Sequence, residues 1–157
     1  MANTYAQFTG LTPDNNPTNS RSVLDNNFVV TRALPAAASS TVNSTSFDLG
    51  DAIAGVPFVT TETINLVVIA PALTTTILPD TRTMTYTVQD SADDSSYAAI
   101  GTLAAQVQTG AGGAGAATAT YTFKLPPNTR RYIRLSIASG ASTTDASATS
   151  AVFELAF

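Results

Sequence analysis

The sequence predicts an all-β protein: an antiparallel sandwich or barrel of two sheets, preceded by an extended N-terminal arm. Three observations predict it. Apolar and Thr side chains alternate with period two in four separate segments. Turn-forming residues punctuate the chain between the apolar runs at short intervals. The Ala-rich stretches Ala36–Ala38, Ala104-Ala105 and Ala114–Ala119 contain helix formers, yet none carries an apolar stripe of helical period.

Residues 1–40 read as the arm and residues 41–157 as the sandwich. The arm is turn chemistry without a period. Pro13 and Pro17 break any helix across it, and Asn15, Asn16 and Asn19 favour turns. Ser22–Asn27 is long enough for one helical turn, with Ser22 as its cap. Tyr5, Phe8, Leu11, Leu24, Phe28 and Leu34 are spaced too irregularly to form a core of their own. They suit grooves on a partner, with Arg21 and Arg32 as the arm's cations. Leu34-Pro35-Ala36-Ala37-Ala38-Ser39-Ser40 reads as a linker.

Four strands follow from strict alternation. They are Thr83–Gln89, Thr118–Leu125, Arg131–Ile137 and Ala151–Phe157. Their expected core is Met84, Tyr86, Val88, Tyr121, Phe123, Ile133, Leu135, Ile137, Phe153 and Leu155. Thr suits the opposite face, because its branched β-carbon fits a strand while its hydroxyl stays in water. Further strands are expected at Thr45–Leu49, Glu62–Ala70 and Tyr97–Gln106. Within the second of these, Ile64–Ile69 is nearly continuous apolar, the pattern of a more central strand.

Composition excludes several function classes. The 157 residues include no Cys and no His, which removes thiolate and imidazole chemistry, disulfides and the usual zinc sites. Charged residues are 11%, against about a quarter in ordinary domains. Ala, Thr and Ser take their place, which suits a surface packed against other protein. The net charge of −4 gives no electrostatic reason to bind nucleic acid. The start lacks the charged and apolar regions of a secretory signal, and Pro71 breaks the longest apolar run well short of a membrane span.

Three clusters could carry chemistry. Gly110, Gly112 and Gly115 make a literal G-x-G-x-x-G, but a Thr-alternating strand follows it where a dinucleotide site needs a helix, so it reads as a flexible hairpin. Asp90, Asp93 and Asp94 supply oxygens to one loop without the spacing of a calcium-binding loop, and read as a solvated turn. Lys124, Arg130, Arg131 and Arg134 hold four of the seven positive charges. Arg134, opposite in face to Ile133 and Leu135, suits a carboxylate clamp within the subunit or across an interface. No catalysis, metal or cofactor is expected.

The run Leu125-Pro126-Pro127-Asn128-Thr129-Arg130-Arg131-Tyr132-Ile133-Arg134-Leu135 resembles a signature of the small cement (decoration) proteins of tailed-bacteriophage capsids, of the Bordetella phage type. Ser46-Phe47-Asp48-Leu49-Gly50 is similar to the family's early strand and turn, and Tyr86–Asp93 to its strand ending in Gln, Ser and Asp. Ala146–Leu155 is similar to its closing strand. The resemblance spans roughly residues 44–155 and leaves out the arm. It implies a jelly-roll sandwich on the outer capsid surface of a virion. There it would lock major capsid protein subunits together, as a homo-oligomer (dimer or trimer), without nucleic acid or membrane. The expected contacts are Tyr5, Phe8, Leu11, Arg21, Leu24, Phe28, Arg32, Arg130 and Arg134. The rival readings are a receptor- or carbohydrate-binding sandwich head of a tail or spike, and a self-assembling tail-tube subunit.

Overall fold

A computed structural model describes residues 29–50 and 64–156 of the chain. The ten strands among the described residues, in order, are β1 (Val29–Ala33), β2 (Thr41–Asn43), β3 (Phe47–Asp48), β4 (Asn65–Ala70), β5 (Thr83–Ser91), β6 (Ala98–Ala99), β7 (Gln106–Thr109), β8 (Ala119–Lys124), β9 (Tyr132–Ser139) and β10 (Ser150–Ala156).

The strands form two antiparallel sheets. Sheet A has the order β1-β10-β4-β8. Sheet B is built on the long β5–β9 ladder, which runs from Met84↔Ser139 to Ser91↔Tyr132. Two short strands share each of its edges. β2 and β3 pair end to end with β9, and β6 and β7 pair end to end with β5. Counting each such pair as one broken strand, the chain occupies eight positions, ordered 1-8-3-6 in sheet A and 2-7-4-5 in sheet B. That is the jelly-roll order, a double-sheet solution built from Greek keys.

The alternating segments position the core as their pattern requires. Met84, Tyr86 and Val88 of β5 and Ile133, Leu135 and Ile137 of β9 face Leu66 and Val68 of β4 and Phe153 and Leu155 of β10, all buried. Phe47 of sheet B stacks on Phe153 of sheet A with ring centroids 5.0 Å apart. Tyr121 and Phe123 depart from expectation and are only partly buried. Among the described residues β8 pairs with β4 alone, so these rings lie at the sandwich rim.

Polar groups close the same rim. Gln108 of β7 is buried; its amide nitrogen donates to Pro71 O (3.0 Å) and Ala117 O (2.9 Å), both flanking strands of sheet A. Its Oε1 accepts from the Tyr86 hydroxyl at 2.7 Å. One glutamine thus ties sheet B to sheet A and satisfies a buried phenol.

Three sequence expectations are corrected by the pairing. Residues 29–40 belong to the sandwich. β1 adds to the edge of β10 from Val29↔Glu154 to Ala33↔Ser150, Leu34 is buried, and residues 35–40 form the corner into β2. That corner is pinned by Ala146 N–H donating to Pro35 O and Ser39 N–H donating to Gly140 O. β-Branched Val29-Val30-Thr31 suits a strand, but it lacks alternation and follows a run of Asn. Tyr97–Gln106 is not one strand either. β6 stops at Ala99 and a turn closed by Leu103 N–H donating to Ile100 O separates it from β7.

The glycine loop is the third correction: it is a corner between sheets, not a hairpin within one. It leads from β7 to β8 and docks on the 73–82 segment, with Gly110 N–H donating to Arg82 O and Leu73 and Ala116 exchanging backbone hydrogen bonds. Gly115 has φ +79°, and a Cβ there would lie 2.0 Å from Leu73 O. Only glycine meets both demands.

Candidate functional site

Three of the four segments that carry the family resemblance converge at one end of sheet B; the fourth, Ala146–Leu155, leads into β10 of sheet A. The turn after Leu125 is closed by Thr129, whose N–H and hydroxyl both donate to Pro126 O. It delivers Arg130 to Asp90, near the end of β5. Arg130 donates from its backbone N–H to Asp90 Oδ2 (2.9 Å), from Nε to Oδ1 (2.8 Å) and from Nη2 to the Asp90 carbonyl (2.8 Å). Asp90 is 6% exposed, and a carboxylate that buried needs such a partner. The same hydrogen bonds hold the Arg130 guanidinium above its ordinary pKa.

Arg131 precedes the first paired residue of β9 and turns to Asp48 of β3. Its Nε donates to Oδ1 (2.8 Å) and its Nη2 to Oδ2 (2.6 Å), a bidentate pair. Asp48 Oδ1 also accepts from Gly50 N–H at 2.9 Å. Arg134 lies directly across from Gln89 in the ladder and donates to its Oε1 at 2.9 Å. Its guanidinium sits 3.8 Å from the centroid of the Tyr97 ring, a cation–π contact.

Beyond Tyr97, Asp94 accepts from the hydroxyls of Ser46 (2.6 Å) and Tyr97. Those bonds, Ser46 first, hold its carboxyl below the usual range. Asp93 caps its own turn, accepting from Ser96 N–H, Ser95 N–H and the Ser91 hydroxyl, which hold it low as well. The loop carboxylates are therefore each engaged by different groups and do not converge on a common point.

An open cleft of about 520 Å³ lies beside the Asp90–Arg130 pair, bordered by Ile100, Gly101, Thr102 and Asn128. None of its lining side chains is aromatic.

Among the expected contact residues, Arg130 and Arg134 come together in this cluster and are engaged within the subunit. Arg32 lies elsewhere, on β1, on the same face as Val30. Its Nε is buried without a hydrogen-bond partner among the described residues, and an inward charge is a known guard on an edge strand. Tyr5, Phe8, Leu11, Arg21, Leu24 and Phe28 lie outside the described residues. Reading residues one at a time missed the partners Asp48, Gln89, Asp90 and Tyr97. Their signal was present: the first three sit inside the segments of resemblance, in chain order.

The fold and this cluster define a jelly-roll sandwich with arginine-stapled strand ends. No family model and no curated protein matches the chain. Among solved structures it is similar to PBSX exported protein XepA, with a TM-score of 0.46 and 15% identity over 81% of this chain. The chain spans 37% of the length of that protein. A likeness of this size carries no argument about function.

Proposed function

We propose that the chain is a non-enzymatic structural protein of a phage virion. In this reading it binds the outer face of the capsid shell and cements neighbouring major capsid subunits. The observation that carries the reading is the convergence of three of the four resembling segments. Asp48 meets Arg131, Asp90 meets Arg130 and Gln89 meets Arg134, so motifs about 40 residues apart or more in sequence form one spatial unit. Segments that are each similar to the family in sequence are thus also neighbours in the fold. The jelly-roll strand order agrees with what the resemblance implies.

Mechanistically such a protein works by area. A shell under internal pressure fails where subunits part, and a subunit straddling the junction adds buried surface that must be lost first. Contacts repeated over the shell let modest affinity per copy suffice. The test is to add purified protein to shells that lack it. Binding should saturate at a fixed ratio to the shell subunit and raise the temperature at which the shells open. Absence of binding, or binding to a glycan panel instead, would overturn the reading in favour of a tail or spike head.

A further inference from the structure

Ile64–Ile69 has the composition of a strand covered on both faces, yet among the described residues only one face of β4 is covered. Leu66, Val68 and Ala70 are buried between the sheets, while Val67 and Ile69 face outward. The register sets Ile69 beside Val152 of β10, and Val67 beside Glu154, which in turn lies beside Val29 of β1. On the other side Thr120 and Thr122 of β8 complete the rows. The result is an apolar patch on the outer face of sheet A, with Glu154 as the one acid within it. Val29 is 39% exposed, and Val67, Ile69 and Val152 are half-buried. At ordinary strand spacing, four strands make this face about 19 Å wide.

Where the chain enters this face bears on what covers it. Val29, the first residue of β1, is itself part of the patch, so the preceding 28 residues depart from its border. They carry Tyr5, Phe8, Leu11 and Leu24, and a single cation, Arg21, to set against Glu154. Asp25-Asn26-Asn27, directly before the strand, are turn residues able to reverse the chain. About 24 extended residues reach roughly 80 Å, several times the width of the face.

We propose that residues 1–24 lie on the outer face of sheet A of their own chain, covering Val67, Ile69 and Val152, with Arg21 paired to Glu154. Tethering at the border of the patch gives this segment a local concentration in roughly the millimolar range, which favours it over a free partner. The inference goes beyond shell binding and stands or falls without it.

The test uses the full chain. Arg21 is the one tryptic site before Arg32, so the rate of cleavage after Arg21 reports whether the segment is held. Wild type should be cut at least tenfold more slowly than Ile69→Lys, with Glu154→Gln in between. Circular dichroism confirms that each variant is folded, and Thr122→Lys, on the exposed edge strand of the same face, serves if Ile69→Lys is not. Equal cleavage of wild type and the folded variant would overturn the proposal. Protection that rises with protein concentration, with Ile69→Lys breaking a dimer, would overturn it in favour of a second copy. Protection that appears only on shells would overturn it in favour of the shell.

Discussion

Sheet B presents Thr83, Thr85, Thr87 and Gln89 of β5 and Arg134 of β9 on its outer face, with the exposed Val107 of β7 beside Thr85, whereas sheet A presents Val67 and Ile69 of β4 beside Val152 of β10. Both ion pairs among the described residues, Arg130–Asp90 and Arg131–Asp48, belong to sheet B and its loops. The inner faces are alike, since each contributes alternate apolar side chains to one core. The difference teaches how the two sheets are finished. Sheet B is closed by side-chain pairs at its strand ends and leaves a wettable Thr-rich surface. Sheet A carries apolar side chains on both sides, with Val67, Ile69 and Val152 half-buried on the outer one.

The largest expected effect tests what the sheets share. Phe153 is fully buried and stacks on Phe47 across the core, so Phe153→Ala should cost about 3–5 kcal/mol in chemical denaturation. Phe123→Ala, on the edge strand of sheet A, should cost less, about 1–2 kcal/mol, because that ring is only partly buried. Equal losses would contradict the placement of β8 at the rim.

Next comes the tie between the sheets. Gln108→Ala strands the Tyr86 hydroxyl and the carbonyls of Pro71 and Ala117, and should cost about 2–3 kcal/mol. Gly115→Ala should cost about 1–3 kcal/mol, since the new Cβ collides with Leu73 O at a positive φ. Gly112→Ala, which has open space around it, should cost less. Thermal melts of the two variants side by side check the order.

The smallest effect is confined to sheet B. Asp93 and Asp94 are held below the ordinary carboxylate range, so their contribution is present above that range and is lost as pH falls through it to their folded values. The melting temperature should be level from neutral pH down to about 5 and decline below about pH 4. Asp93→Asn should shrink that decline. Burial and the neighbouring Tyr121 raise Tyr86, so its contribution is present below the ordinary tyrosine range and is lost as pH rises beyond it.

Alternation made β5, β8, β9 and β10 legible, because a half-buried strand must put every second side chain on the core. β1 and β2 were not legible, and β6 and the start of β7 were read as one strand, because edge strands of two to five residues complete too few periods to register. Arg130 and Arg134 stood out as charges in a chain with few of them. Their partners Asp90 and Gln89 sit on another strand, and only the pairing of β5 with β9 brings them opposite. The apolar excess at Ile64–Ile69 was visible, but its outward half acquires meaning only once β10 and β1 are seen to extend it.

The measurement that bears most directly on the functional reading is the position of the protein in an averaged image of the virion. The account predicts a jelly-roll density on the outside of the shell, seated across junctions between capsid subunits and repeated with shell symmetry. Density at the tail or spike, or none on the shell, would contradict it.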